Sequence, residues 1–415
     1  MKLKKTMRVL SALALSLILS MGGLTTVFAA GPITGTEANP AQAVITKELK
    51  MPEGTTTPAA TFNFQFAKKS IDDKTTQDDL DTMPDIANKS VTFAAADTGN
   101  TATGLKSVTK ETASLFSGIN WTHAGVYVYT VTEQSGTYTT GTGETMTYSN
   151  GSYDIAVYVA NGASGLYVSD IGTTIVVADN TSQVAGDKTD PTTSTTVTGA
   201  YSAMLFTNQY QKMNGGTDVT DPAHQTLAIS KTVAGTYGDL TKYFTYDVTV
   251  TESTLSSGVT YKGYVVENGT VVTSTDNGAI GGTDVTNGDF INFPSGTAVS
   301  VKLKHGQTLA FIDNEVGSNY VANELAAEDY TASASIIVNG GVPVTINNTS
   351  ANTDLSTATR TIGESTNSAA FTNTYKTITP TGISLNNLPF IMMIVLAVIG
   401  LAAYVVVKSR KSYNK

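Results

Sequence analysis

Three kinds of side chain that could react with one another recur in the same order in the two halves of the sequence. Each half has a lysine on an early strand-like segment, an acid late in the half, and a closing Phe-Thr-Asn. The residues are Lys47, Glu133 and Asn208, followed by Lys231, Glu324 and Asn373. Burial favours the neutral, nucleophilic form of a lysine amine and the protonated form of an acid. The ordered triads therefore indicate an internal repeat on the scale of a domain.

A second reactive feature lies near the C-terminal end, where residues 378–382 read ITPTG. The apolar run that follows, 388–407, is long enough to span a bilayer as a helix, and the basic residues after it predict a cytoplasmic end. This layout resembles a sortase cell-wall sorting signal, although the usual signal begins with leucine. The resemblance implies cleavage between Thr381 and Gly382. The alternative is an ordinary single-pass anchor with an incidental Pro-Thr-Gly.

The N-terminal residues 1–30 have the features of a secretion signal: a basic start, an apolar centre and a cleavage site at Val27-Phe28-Ala29. The chain has 25 basic and 34 acidic residues. Eight of the basic residues lie in this signal and in the C-terminal tail, which leaves 17 against 34 and a net charge of −17 in between. Nucleic acids and anionic membranes would need a surface of the opposite sign, so neither is a predicted partner.

The chain contains no cysteine, although an exported protein could have used disulfides. A thiol nucleophile, a thiolate metal site and a Cys-Gln thioester are thereby excluded. The three histidines (His123, His224 and His305) lack ligand spacing, and the acidic residues 72–81 lack the spacing of a calcium loop. We therefore predict no cofactor, no metal site and no turnover enzyme, and a surface hydrolase is the weakest of the function classes considered.

Short segments of alternating polar and apolar residues, separated by turn signals, recur along the chain and are typical of β-sandwiches. They are 61–66, 126–131, 153–159, 244–250 and 299–303. We predict an all-β protein with two tandem Ig-like β-sandwich domains, a signal peptide and a transmembrane sorting tail. The predicted boundaries are 31–211, a linker at 212–225, 226–377, and the sorting signal at 378–415. The polar stretch 72–85 is predicted to be a surface loop.

The repeat resembles the isopeptide-forming domains of Gram-positive backbone pilins, in particular the T-antigen type. The segment from Phe116 to Glu133, with its GVYVYTVTE, is the part most similar to that family. The resemblance implies that a lysine on the first strand of each domain bonds to an asparagine on the last strand, assisted by the acid. These are Lys47 to Asn208 with Glu133, and Lys231 to Asn373 with Glu324. The second acid departs from the pattern, because Asn323 stands where the family usually has threonine.

The alternative interpretation of the triads is that the two lysines are ordinary surface residues of strands and the Phe-Thr-Asn segments ordinary β-edges. A single lysine on a strand is usually exposed. Two triads in the same order, in an exported chain without cysteine, favour the crosslinks.

Polymerisation of a pilin also needs an exposed acceptor lysine, and the Tyr-Pro-Lys motif of many backbone pilins is missing here. The resemblance implies a lysine late in the first domain, and Lys188 is the single Lys or Arg between Lys110 and Lys212. It lies in a Thr-, Asp- and Gly-rich stretch that is predicted to be a surface loop. The alternative acceptors are Lys68, Lys69, Lys74 and Lys89.

The predicted function is that of a structural backbone subunit of a covalently polymerised pilus on the cell surface. Its predicted partners are a sortase, other copies of itself, minor pilins and peptidoglycan, with the membrane contacted only through the transient tail. A host surface ligand is left open. The rival interpretation is a monomeric, sortase-anchored cell-wall adhesin that uses the same domains as a stalk.

Overall fold

The computed structural model describes residues 32–376 and 388–413, in which most of the regular secondary structure is β-strand. The predicted signal peptide and the predicted cleavage residues Thr381 and Gly382 lie outside the described residues.

The first domain is a sandwich of two six-stranded sheets. Its strands are β1 (Ile33–Thr34), β2 (Gln42–Pro52), β3 (Ala60–Ile71), β4 (Lys89–Phe93), β5 (Asn100–Ala102), β6 (Leu105–Glu111), β7 (Gly125–Glu133), β8 (Glu144–Thr147), β9 (Ser152–Asn161), β10 (Leu166–Val177), β11 (Thr192–Thr193) and β12 (Ala200–Lys212). One sheet has the order β1-β10-β9-β7-β3-β4. The other has the order β11-β12-β2-β6-β5, with β8 on the free part of β12.

The second domain pairs a nine-stranded sheet with a five-stranded sheet. Its strands are β13 (Leu227–Ala234), β14 (Phe244–Thr251), β15 (Thr260–Glu267), β16 (Thr270–Val271), β17 (Gly282–Asp284), β18 (Gly288–Pro294), β19 (Ala298–Leu303), β20 (Gln307–Phe311), β21 (Asn319–Glu324), β22 (Tyr330–Ile337), β23 (Val344–Asn347), β24 (Leu355–Ser356), β25 (Arg360–Thr361) and β26 (Ser368–Tyr375). The larger sheet has the order β17-β18-β15-β20-β13-β26-β22-β23, with β16 beside β15. The smaller has the order β19-β14-β21-β24, with β25 beside β21.

Alternation along the strands builds the cores of both sandwiches, because successive side chains of a strand point to opposite faces. On β3, Phe62 and Phe64 are fully buried, while the alternate residues Thr61 and Asn63 are only partly buried. Each domain has its own large apolar cluster between its two sheets. The prediction of an all-β protein with tandem Ig-like β-sandwiches is confirmed.

The first and last long strands of each domain lie side by side and run in parallel. β2 pairs with β12 and β13 pairs with β26, whereas the other strand pairs within the described ranges are antiparallel. A parallel pair cannot be closed by a hairpin, so the whole domain is the connection between its two members. This pairing brings the beginning and the end of each domain together.

The segment between the domains, predicted to be a linker at 212–225, is packed rather than free. Lys212 is the last residue of β12, and Val219 is buried against Tyr264, Val266 and Ala310 of the second domain. Gln225 is also buried and donates its amide to the Val219 carbonyl at 2.6 Å.

Contacts between the two sandwiches fix the junction further. The Thr56 hydroxyl donates to Glu364 at 2.6 Å, and Met213 forms a backbone bridge with Glu315. Gly317 has φ +84°, and a Cβ placed on it would lie 2.2 Å from the Pro52 Cβ. Only glycine therefore allows the backbones to approach this closely.

Two α-helices and a single turn of 3-10 helix (Pro222–His224) complete the described structure. The polar stretch 72–85 contains a short helix, α1 (Gln77–Asp81), whose N-cap is Thr76. The C-terminal helix α2 (Leu388–Tyr413) contains 21 residues, Pro389–Ser409, with a mean hydropathy of 2.9 and no part buried against the domains. It fits the predicted transmembrane tail in length and composition.

Candidate crosslink sites

The first site lies between the two sheets of the first domain. Lys47 on β2 is fully buried, and its Nζ lies 2.6 Å from Oε2 of Glu133. Glu133 reaches across from β7 in the facing sheet, and its Oε1 accepts a hydrogen bond of 2.7 Å from the Asn208 amide. One buried carboxyl group thus contacts both the amine and the carboxamide.

The second site brings the same three residue types together, but the amine and the carboxamide contact one oxygen of the acid instead of two. Lys231 on β13 is 1% exposed, and its Nζ lies 2.5 Å from Oε1 of Glu324 on β21 of the facing sheet. The Asn373 amide donates to the same carboxylate oxygen at 2.7 Å.

Strand register explains why the two sites match. In the first domain Lys47 lies opposite Phe206 on the parallel neighbour, and Asn208 follows two residues later on the same face. In the second domain Lys231 lies opposite Phe371, and Asn373 follows at the same offset. Because side chains alternate with period two, this register turns lysine and asparagine into the same core.

Aromatic rings lie beside both lysines, and the sequence did not identify them as parts of the site. The Lys47 amine lies 4.9 Å from the ring centre of Phe62, and Phe64 packs on Phe206 with ring centres 5.0 Å apart. The second site has Phe244 at 4.0 Å from the Lys231 amine, and Tyr246 on Phe371 at 5.2 Å. The signal in the sequence was the aromatic-x-aromatic spacing in β3 and β14, which places both rings on one face.

Burial shifts the pKa values of the two lysines and of their glutamate partners towards a neutral amine and a protonated acid, the forms in which the amine can attack a carboxamide. It lowers the pKa of Lys47 to about 8 and likewise that of Lys231, against the attraction of the neighbouring carboxylates. Burial also raises the pKa of Glu133 and of Glu324, against the stabilising effect of the lysines. A neutral amine beside a protonated acid is therefore far more accessible here than in water.

The predicted acceptor Lys188 lies elsewhere, on the outside of the first domain. It is exposed and forms an isolated β-bridge with Thr174, so its backbone is attached to β10. Hydrogen bonds from Gly186 to Ile175 and from Thr189 to Thr173 hold the segment on either side.

The alternative acceptors also lie at the surface. Lys68 pairs with Asp85 at 2.8 Å, and Lys69 pairs with Asp154. Lys74 is exposed beside the start of α1, and Lys89 begins β4.

The histidines and the acidic stretch form no metal-binding cluster within the described residues. His224 contacts Asp221 at 2.8 Å, and His305 accepts a backbone hydrogen bond from Val233 at 3.0 Å. Trp121 packs against Phe116 and Tyr127 at the edge of the first core.

Comparison with known proteins gives one family match in each domain. Residues 43–211 match a family described as the Spy0128-like isopeptide containing domain, and residues 225–375 match a domain of unknown function (DUF7601). No curated protein matches the chain.

Several solved structures are similar to the chain. The major pilin from Streptococcus pyogenes has 18% identity over 81% of this chain and 99% of that one, with a TM-score of 0.32. The major pilin T3.2 of the same species has 19% identity over 81% and 98%, with a TM-score of 0.29. The pilus-presented adhesin Spy0125 (Cpa) has 18% identity over 55% and 36%, with a TM-score of 0.24.

The buried Lys–Glu–Asn triad of the first domain lies within the residues that match this family, so the geometry and the match indicate the same class, the isopeptide-type domain. More particularly, the first domain of this chain, residues 43–211, belongs to the Spy0128-like isopeptide-containing domains.

Proposed function

We propose that the chain is the structural backbone subunit of a covalently polymerised cell-surface pilus, and that each of its domains forms a Lys–Asn isopeptide crosslink by itself. The observation that carries the proposal is the duplicate triad, buried in both domains at the same strand register. Surface lysines on strands would not be buried twice beside a carboxyl group and a carboxamide.

The reaction needs no cofactor. In the first domain the neutral Lys47 amine attacks Cγ of Asn208, and Glu133 moves a proton from the attacking nitrogen to the departing one. The Cγ–Nδ2 bond breaks, ammonia leaves, and an amide joins Nζ to Cγ. Lys231, Glu324 and Asn373 do the same in the second domain. Folding supplies the effective concentration, because the two groups in the first domain are 161 positions apart in the sequence.

The benefit of such a bond is mechanical. It would join the first and last strands of a domain, so that tension along the chain passes through a covalent bond rather than through the sandwich. By the loop-entropy model used for disulfides, closing a loop of this length contributes about 5 kcal/mol to the free energy of unfolding.

Polymerisation would use the tail. We propose that helix α2 holds the exported chain at the membrane until a sortase cleaves between Thr381 and Gly382. The fragment that begins at Gly382 leaves, and the Thr381 acyl group passes from the sortase to the Lys188 amine of another copy. In the last subunit added, the acyl group passes to a peptidoglycan amine instead. Its position on the outer surface of the first domain supports Lys188 as the acceptor.

The test is a boiled detergent gel of cell-wall extracts. A backbone pilin gives a ladder of covalent multimers, whereas a monomeric wall-anchored adhesin gives one band. Lys188→Ala should abolish the ladder, and Lys89→Ala serves as the control from the same domain. A single band from the unaltered protein would overturn the pilus function. An undiminished ladder in Lys188→Ala would overturn only the choice of acceptor.

A further inference from the structure

The two sites treat the oxygen of the reacting asparagine differently. In the first, the backbone N–H of Ser149 donates to Oδ1 of Asn208 at 2.7 Å. In the second, Oδ1 of Asn373 is buried without a hydrogen-bond partner among the described residues. Oε2 of Glu324 and the hydroxyl of Tyr246 also make no hydrogen bond of ordinary geometry, although the two groups are close enough to shift each other's pKa. The second site therefore contains three buried polar atoms without a regular hydrogen bond. In the first site, by contrast, Oδ1 of Asn208 and both carboxylate oxygens of Glu133 are hydrogen-bonded.

Tyr246 occupies the position that Phe64 occupies in the first site. Phe64 lies opposite Glu133 in the strand register, and Tyr246 lies opposite Glu324. Both rings are fully buried and pack on the phenylalanine that precedes the asparagine by two residues. The difference between the two walls is thus a single hydroxyl group, which is costly to bury without a partner.

Attack on Cγ of an asparagine moves negative charge onto its Oδ1, so a donor aimed at this oxygen lowers the barrier. The Ser149 N–H can do this in the first site. In the second site the hydroxyl of Tyr246 is a donor whatever the protonation state of Glu324. Burial and the neighbouring Glu324 raise the pKa of Tyr246 well above its usual value, so the hydroxyl keeps its proton.

We propose that the Tyr246 hydroxyl donates a hydrogen bond to Oδ1 of Asn373 while the second crosslink forms, the role that the Ser149 N–H has in the first. This inference rests on the proposed function, since it concerns the rate of the second crosslink. Proton transfer remains with Glu324, and no proton leaves Tyr246 in the reaction.

The test substitutes Tyr246→Phe in the full chain, which leaves the ring that the first site already carries. Samples are taken at intervals after a pulse of synthesis, purified in detergent and digested. Mass spectrometry then measures the branched peptide that joins Lys231 to Asn373, with the Lys47–Asn208 peptide as the internal reference. The second crosslink should form at least ~10-fold more slowly than in the unaltered chain, while the first keeps its rate.

Tyr320→Phe is the matched control. Tyr320 is a buried tyrosine of the same domain whose hydroxyl also lacks a hydrogen-bond partner, and it lies four residues before Glu324 on β21. It should leave the rate of the second crosslink unchanged. Equal slowing by both substitutions would assign the effect to packing and overturn the proposal.

Two further measurements distinguish a role of the Tyr246 hydroxyl in the reaction from a role in the stability of the fold. In the unreactive background Glu324→Gln, adding Tyr246→Phe should not lower the melting temperature, because it removes a hydroxyl that is buried without a hydrogen-bond partner. Site-specific 3-fluorotyrosine at position 246 keeps the ring and makes the hydroxyl a stronger donor, so the second crosslink should form faster.

The outcomes distinguish the two hypotheses. An unchanged rate in both Tyr246→Phe and the fluorotyrosine protein would overturn the role of Tyr246 and leave the crosslinks in place. Absence of both branched peptides from the unaltered chain would overturn the proposed function itself.

Discussion

At the scale of single residues, the proposed chemistry depends on lysine amines that are both buried and paired. Lys47 and Lys231 each contact a carboxyl group of the facing sheet. Each amine also lies over an aromatic ring, that of Phe62 or Phe244. Removal of the acid leaves a buried lysine without its partner, which is strongly destabilising.

Glu133→Ala should therefore block the first crosslink and leave the second intact. The variant should lose one ammonia instead of two and unfold at a lower temperature than the unaltered protein, by several degrees. Intact mass and calorimetry check both parts. Glu48→Ala is the control, because Glu48 is the neighbouring acid on β2 and lies outside the triad. If Glu133→Ala lost both crosslinks, the two domains would not form their crosslinks independently, contrary to this prediction.

The pH dependence of an uncrosslinked first domain follows from the lowered pKa of Lys47, about 8. In Asn208→Ala the amine remains ionisable, and between pH 8 and about 10.4 the unfolded chain binds more protons than the folded one. The contribution of Lys47 to the free energy of unfolding is then lowest below pH 8, and it rises as the pH increases from 8 to about 10.4. In the crosslinked protein the same nitrogen is an amide and does not titrate.

The difference in free energy of unfolding between Asn208→Ala and the unaltered protein should accordingly narrow from pH 8 to 10, by up to about 3 kcal/mol. Denaturant titrations at several pH values measure it. A constant difference across the window would show that Lys47 is not held with a depressed pKa.

At the scale of elements, the aromatic walls of β3 and β14 are what dehydrate the two amines. Phe62→Ala should cost about 3–5 kcal/mol of stability and admit water to Lys47, so that the first crosslink forms more slowly while the second does not. Phe116→Ala is the control, since Phe116 is buried in the same core but packs on Trp121. Equal slowing by both would assign the effect to general destabilisation.

Much of the strand architecture, and the residues of both triads, could be predicted from the sequence. Alternation and turn signals predict the sandwiches, and the ordered repeat selects all six triad residues that the structure brings together. The positions of the aromatic rings beside the two lysines could not be predicted, nor could the hydrogen bond from Ser149 to Asn208. Both depend on the register between strands that are far apart in the sequence. The short helix α1 was missed since five residues with no buried side chain leave almost no periodic signal.

At the scale of the whole molecule, the packed junction sets the relative placement of the domains. Its Gly- and Asp-rich sequence is typical of a linker, and the single buried Val219 was too weak a signal to indicate otherwise. The approach of Gly317 to Pro52 makes the junction sensitive to one methyl group.

Gly317→Ala should loosen the junction and increase tryptic cleavage after Lys212 several-fold. Gly296→Ala is the matched control, because Gly296 has φ +71° and a Cβ placed on it would have no other atom within 4 Å. It carries the same backbone strain without the clash, so cleavage after Lys212 should stay at the level of the unaltered protein. Equal susceptibility of the two variants would indicate that the junction does not depend on this contact.

The central claim is that the protein carries two self-formed crosslinks, and intact mass tests it most directly. The recombinant ectodomain, produced without a sortase, should weigh less than its sequence by two molecules of ammonia, each about 17 Da, because each amide bond forms with loss of one. The double variant Glu133→Ala, Glu324→Ala should have the full sequence mass. An unaltered protein with the full sequence mass would contradict the account.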